Sequence, residues 1–233
     1  IVGGNGVSSK FPDTNLYFKE WNEKFGYIEH LILGEGERPL AEILSNGRVM
    51  YQDENIDSFP FPSYAGYNLN EYEEKKVYLT GSRGCVRKCT FCDIENIWPK
   101  FRYRSAESLI EEIRKHYELH GVTRFDFTDS LINGSVSNFY KFNTLLADAK
   151  AKDSSLKDIK YLGQAICRPR HQMPEEHYEA MYYAGCQQLT IGMESFSNQV
   201  RTHMKKKFSD TDIEYHLEQC KYWNIPNVFL MIT

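Results

Sequence analysis

Three of the six cysteines crowd into one short stretch, Gly81-Ser82-Arg83-Gly84-Cys85-Val86-Arg87-Lys88-Cys89-Thr90-Phe91-Cys92. The C-x3-C-x2-C spacing lets the thiolates of Cys85, Cys89 and Cys92 converge from a single loop, which Gly81 and Gly84 are expected to let bend. Thiolates are soft donors that select zinc or an iron–sulfur cluster. A structural zinc asks for four protein ligands in closed tetrahedral geometry, and the histidines nearest in sequence, His30 and His116, lie more than twenty positions away. A cubane held by three cysteines instead leaves one iron open to a small molecule, which is a catalytic arrangement. A zinc-holding or inert iron–sulfur scaffold remains the non-enzymatic alternative. Six cysteines are too few for a disulfide framework, and their clustering fits a reducing, cytoplasmic setting.

Ligands in α/β folds bind where strands end at their carboxyl edges, so the elements around the thiols decide what they can do. Val77–Thr80 is an apolar run directly before the cysteine loop, and Arg124–Thr128, Tyr161–Ile166, Gln188–Ile191 and Val228–Ile232 repeat the pattern between helical stretches. That alternation predicts a parallel α/β sheet or barrel. Ser105 is placed to cap a helix whose Leu109, Ile110, Ile113 and Tyr117 share one face and which stops at Gly121. Pro174 opens another, with Tyr178, Met181 and Tyr182 inward and Gly185 as its stop; Ile213, Leu217 and Cys220 mark the inner face of a third. Residues 1–45 read as strand, helix, strand, turn and helix, with the first helix around Leu16 to Phe25. Residues 46–75, with Pro60 and Pro62 and no sustained period, read as a linker, and 76–233 as the core domain. Ile1 in place of Met, and an end directly after an apolar strand, read as a segment of a longer protein with an open sheet edge after Val228.

The chain has 233 residues, 41% of them hydrophobic, and Lys+Arg 28 against Asp+Glu 32 leaves a net charge of −4, so no overall positive field exists to hold nucleic acid. Its apolar runs, of which Val228 to Ile232 is typical, fall far short of the ~20 residues that span a bilayer.

The loop resembles the hallmark of radical S-adenosylmethionine (SAM) enzymes, C-x3-C-x-aromatic-C, here Cys85, Cys89, Phe91 and Cys92. Ser82-Arg83-Gly84-Cys85 and Trp98-Pro99-Lys100-Phe101-Arg102-Tyr103-Arg104-Ser105 are similar to that family's surroundings of the motif. So are Phe127-Thr128-Asp129-Ser130-Leu131-Ile132-Asn133-Gly134-Ser135 and Ile191-Gly192-Met193-Glu194-Ser195 at the second and fourth strand ends. Ile-Val-Gly-Gly followed by Leu33-Gly34-Glu35-Gly36-Glu37 resembles the last part of a cobalamin-binding domain. The fold implied is α/β: a partial (β/α) radical SAM barrel preceded by the C-terminal remnant of a Rossmann-like cobalamin-binding domain.

The resemblance implies a [4Fe-4S] cluster on Cys85, Cys89 and Cys92, SAM on its open iron, and cobalamin in the full-length protein. It further implies reductive cleavage of SAM to a 5′-deoxyadenosyl radical that starts methyl transfer or rearrangement on a small-molecule substrate, with an electron donor such as a flavodoxin or ferredoxin. Phe91 is placed against the adenine side, its alternative being packing beneath the loop. Thr128, Asp129 and Ser130 are placed to accept from the SAM amino group, although Ser130 also reads as a helix cap. Arg168 matches a fork for the SAM carboxylate, or a structural ion pair. Glu194 and Ser195 match acceptors for the ribose hydroxyls. Arg104 and Lys206 occupy family-like basic positions, but Lys205-Lys206-Lys207 also reads as a helix-end complement to the dipole. His171, His177, His203 and His216 read as surface or capping residues, and Cys167 and Cys186 as core.

Overall fold

A computed structural model describes residues 2–3, 23–24, 26, 31–32, 35–45 and 55–232, and all structural statements concern these. Near the N-terminus, β1 (Val2–Gly3) pairs in parallel with β2 (Leu31–Ile32), followed by α1 (Glu37–Ser45). Most of the helix expected over Leu16 to Phe25 lies outside the described residues, as do residues 46–54 of the expected linker. The rest of that linker is ordered into two short 3-10 turns, Ile56–Ser58 and Leu69–Glu71. The Asn55 and Asn68 side chains cap them by accepting the N–H two residues on, at 3.0 and 3.2 Å. Ile56 and Leu69 are buried, so these turns pin the connection down.

The main body alternates strand and helix: β3 (Lys76–Leu79), β4 (Ser82–Arg83), α2 (Ile94–Ile97), β5 (Arg102–Tyr103), α3 (Ala106–His120), β6 (Arg124–Phe127), α4 (Val136–Lys152), β7 (Lys160–Ala165), α5 (Glu175–Ala184), β8 (Cys186–Glu194), α6 (Asn198–His203), α7 (Asp210–Tyr222) and β9 (Asn227–Met231). The sheet is parallel, in the order β3-β6-β7-β8-β9. Each strand is laid beside the one before it, and right-handed crossovers then place every connecting helix on the same face, which is the winding of a barrel wall rather than of a doubly wound sheet. Successive helices accordingly pack on one another, α3 on α4, α4 on α5 and α5 on α7.

Between helices and sheet, Leu79, Phe125, Tyr161, Ile191 and Met193 meet Leu109, Ile113, Phe142, Leu146, Tyr178 and Met181, all fully buried or nearly so. Each such side chain contributes about 1.5–3 kcal/mol by leaving water. The Tyr161 hydroxyl, which could not be left unpaired here, donates to Asn143 Oδ1. Cys167 and Cys186 are core, as expected.

The inner face of α7 differs from expectation. Leu217 is 37% exposed, and the buried positions are Ile213, His216 and Cys220. His216 is therefore not a surface residue: its ring is hydrogen-bonded to the Tyr178 hydroxyl at 3.0 Å and to Asn227 Oδ1 at 2.9 Å, which makes a histidine affordable in the core. Strand β9 is paired on one side only, with Val228 and Leu230 partly exposed.

Candidate functional site

The cysteine loop leaves the carboxyl end of β3 through a narrow neck, the antiparallel pair β4/β5, which the sequence pattern did not reveal. Asp129, beyond β6, grips the neck from the sheet side: Oδ2 accepts the Gly81 N–H at 2.8 Å and Oδ1 accepts the Ser82 hydroxyl. From the outer side, Arg83 donates to Glu35 Oε2 at 3.0 Å and pairs with Glu37, and Arg102, opposite it in the ladder, pairs with Glu35. The Arg83 guanidinium lies over the Phe59 and Trp98 rings, 5.1 and 5.0 Å from their centres. Gly84 then turns the chain at φ +86°, with the Lys100 carbonyl 2.8 Å from where a Cβ would stand. Gly81 acts differently from expectation: it supplies closeness rather than bend, since a Cβ there would meet the Phe127 ring at 2.9 Å.

Beyond the neck, Cys85 and Cys89 are half-buried and Cys92 is exposed, all three as free thiols. The Arg87 N–H donates to Cys85 Sγ at 3.4 Å, and the Cys92 N–H to the Cys89 carbonyl at 3.1 Å. Burial pushes the Cys85 and Cys89 thiols up; Lys206 and Arg87 pull both back down, while Cys92 raises Cys85, and Cys85 and Cys92 both raise Cys89. One short loop thus carries three soft donors. Among the described residues no three His, Cys, Asp or Glu side chains close on a single-ion position. A mononuclear zinc needs its sulfurs about 2.3 Å from one point. The corners of a cubane stand farther apart, and three cysteines supply one donor to each of three of them.

The fourth strand end supplies the opposite wall. Strand β8 shifts register between Gly192 and Glu194, and Glu194 takes φ +62°. Its Oε1 accepts from Lys206 Nζ at 2.9 Å, and the Lys206 ammonium sits 5.4 Å from the centre of the Phe91 ring. Gly192 makes the pair possible: a Cβ there would lie 2.8 Å from Glu194 Oε1 and 3.0 Å from Lys206 Nζ. Lys206 is buried and is not a helix-end complement; the left-handed residues on either side, Lys205 at φ 58° and Lys207 at φ 55°, turn it inward. Such backbone is uncommon outside glycine and concentrates at functional sites. The same segment is tied to the cysteine loop, the Thr90 N–H donating to the Met204 carbonyl at 3.2 Å.

The other expected site residues divide. Phe91 is 48% exposed, so packing beneath the loop does not account for it. Asp129 has both carboxylate oxygens engaged on the neck, and burial, opposed by those hydrogen bonds, lifts its pKa to about 6. Thr128 Oγ1 lies 3.0 Å from Thr80 Oγ1, at the exposed end of β6. Ser130 caps no helix; that position belongs to Ser135, whose hydroxyl accepts the Asn138 N–H. Arg168 forms no ion pair among the described residues. Its Nη2 donates to the Asn133 and Gly134 carbonyls at 2.8 and 3.0 Å, and its buried Nε has no protein partner. Burial, then the nearby Arg87, pull its pKa down to about 10. The Ser195 hydroxyl accepts the Ser197 N–H at 3.1 Å, and the Ser195 carbonyl accepts from Arg201. Arg104 is structural, paired with Glu112. A cavity of about 390 Å³ lies on the outer side of the neck, lined by Leu40, Leu44, Ile56, Phe59 and Pro60 beside Arg83; no thiol borders it.

Comparison with known proteins places this geometry. The family model of the Radical SAM superfamily matches residues 79–233. The chain is 27% identical over 228 residues to cytidylyl-2-hydroxyethylphosphonate methyltransferase of Streptomyces wedmorensis, covering 91% of this chain and 41% of that protein. It is 26% identical to the ribosomal protein uS12 methylthiotransferase RimO of Clostridium botulinum, covering 99% and 48%. The chain therefore spans less than half the length of these relatives. Among solved structures, the cobalamin-dependent S-adenosylmethionine radical enzyme OxsB superposes with a TM-score of 0.65 at 18% identity, over 99% of this chain and 36% of that one. The radical S-adenosylmethionine methyltransferase TsrM from Kitasatospora setae gives 0.59 at 16%, over 66% and 29%. These two likenesses bear on the fold. The matched stretch holds the cysteine loop and the main parallel sheet from Leu79 onward, and the chain belongs to the radical SAM superfamily.

Proposed function

We propose that this chain carries the cluster- and SAM-binding part of a radical SAM enzyme that modifies a small molecule, by methyl transfer or rearrangement. Superfamily membership implies a [4Fe-4S] cluster and SAM. When bound, they supply reductive cleavage of the SAM carbon–sulfur bond, the entry to radical chemistry. Cys85, Cys89 and Cys92 would hold three irons, with the neck keeping the loop in place through Asp129 and Arg83. Arg168, buried and lacking a carboxylate partner, is suited to the SAM carboxylate. Glu194 and Ser195 at the β8 end would accept from the ribose, Thr128, Asp129 and Ser130 would face the amino group, and Phe91 would lie toward the adenine. Barrel walls exclude water from a reactive intermediate, which is what a packed β/α enclosure offers.

The observation that carries this reading is the loop itself: three free thiols at a parallel strand's carboxyl end, braced from two sides. Residues 1–45 we assign to the end of a cobalamin-binding-like domain, 46–75 to the connection and 76–233 to the core. Support comes from the parallel pair β1/β2 with α1, and from the superposition on OxsB, whose structure holds aqua-cobalamin. A low-potential donor such as a flavodoxin or ferredoxin would supply the electron, and six unpaired cysteines fit a reducing cytoplasm. No helix among the described residues is long and apolar enough to cross a membrane.

Anaerobic reconstitution of the full-length protein with iron and sulfide should give charge-transfer absorption that dithionite bleaches, and added SAM should yield 5′-deoxyadenosine. Cys89→Ala should abolish that product. Uptake of one zinc with no iron, or undiminished cleavage in the Cys89 variant, would refute the assignment.

A further inference from the structure

Three cations lie in or beside the cysteine loop, and two of them keep a buried guanidinium Nε without a partner among the described residues. Arg87 lies between Cys85 and Cys89; its N–H is on Cys85 Sγ and its buried Nε has no partner among the described residues. Arg168 is near enough to Arg87 and Cys85 to feel both charges, and it has a second unpartnered Nε and, among the described residues, only neutral acceptors, the Asn133 and Gly134 carbonyls and Gln172 Oε1. Lys206 lies over Phe91, on backbone reversed at the residues before and after it, and among the described residues its acidic partner is Glu194. Keeping two guanidinium groups near each other in a half-buried place is unfavourable unless negative charge arrives there. Three thiolates carrying a cluster bring net negative charge, and one-electron reduction adds one unit more.

We propose that Arg87, Arg168 and Lys206 form a cationic collar that favours the reduced over the oxidised cluster, with the Glu194 carboxylate setting how much of the Lys206 charge is felt. The proposal rests on the cluster assignment above and concerns the reduction potential, not SAM binding. One electron enters from a low-potential flavoprotein or ferredoxin donor; no bond is made or broken and no proton is needed. A unit charge about 10 Å away at an effective dielectric of about 20 biases a one-electron equilibrium by about tenfold or somewhat more. The Arg87 N–H on the sulfur acts in the same direction.

The test is the midpoint potential of the reconstituted full-length protein without SAM, titrated with dithionite and read by electron paramagnetic resonance. Lys206→Met and Arg168→Met should each reduce the ratio of reduced to oxidised cluster about tenfold at a fixed potential, a fall of about 59 mV for a one-electron couple. Glu194→Gln should move the potential upward, and Lys206→Arg should leave it near the wild-type value. Opposite signs from Glu194→Gln and Lys206→Met are what a structural role would not give. Shifts in the same direction, or a potential unmoved by Glu194→Gln, overturn the collar. Should Lys206→Met fail to hold a cluster, Glu194→Gln and Lys206→Arg still decide. A wild-type protein that takes up no cluster sinks the assignment beneath it instead.

Discussion

Asp129→Asn replaces the carboxylate that grips the neck with an amide of the same shape, and its effect should depend on pH in a way the structure specifies. Burial lifts the Asp129 carboxyl from the ordinary 3.8 to about 6, against hydrogen bonds from Ser82 and Gly81. A gap of about two pH units, at about 1.4 kcal/mol each, is worth about 3 kcal/mol. Because the folded value is the higher one, the folded protein binds the proton more tightly than the unfolded chain between about pH 4 and about pH 6. Wild-type stability from this group therefore falls as pH rises through that window. The amide removes the titration while keeping the neck: its oxygen can accept the Gly81 N–H, and its N–H can donate to Ser82 Oγ, whose proton then turns to the Leu131 carbonyl 3.3 Å away. Urea unfolding of cluster-free protein, followed by circular dichroism from pH 4.5 to pH 7, should show the wild type losing about 2 kcal/mol relative to the variant. Asp129→Ala should instead cost about 1–3 kcal/mol at every pH, by orphaning the buried Gly81 N–H, and lower iron uptake. Parallel wild-type and Asp129→Asn curves across the window would refute the reasoning.

Two further outcomes follow from other parts of the molecule. Gly84→Ala forces a side chain into left-handed backbone against the Lys100 carbonyl, so the melting temperature should drop by the equivalent of about 1–3 kcal/mol and iron loading should fall with it; full loading would show that the turn is not needed. Burial holds the His216 pKa below its usual value, so its contribution to stability is present above about pH 6.5 and is lost on acidification. His216→Gln should flatten that acid loss in urea midpoints between pH 7.5 and pH 5.5, and an unchanged slope would contradict it.

What sequence spacing conveys is local, and the parts of the fold that depend on local spacing match it. The cysteine motif, the strand ends, the Ser105 cap and the Gly185 stop are set by residues a few positions apart. Lys206 is hard to single out in sequence because Lys205 and Lys207 make it read as one member of a helix-end run that complements the dipole, whereas two residues in reversed backbone turn it toward Glu194. Asp129 meets its partners 47 and 48 positions away, and nothing in its own stretch distinguishes a brace from a ligand contact. His216 took the place expected for Leu217 because the polar partners that make its burial tolerable, Tyr178 and Asn227, come from α5 and β9.

The ion pairs of Arg83 and Arg102 cross what the composition marks as a boundary, joining residues before position 46 to the stem of the thiol loop. A shortened version of the protein cut at that boundary would strip two partly enclosed arginines of their counter-ions, right where Cys85 begins. Anyone trimming the polypeptide for expression should therefore begin upstream of Glu35, or expect iron incorporation to suffer even though every cysteine has been kept.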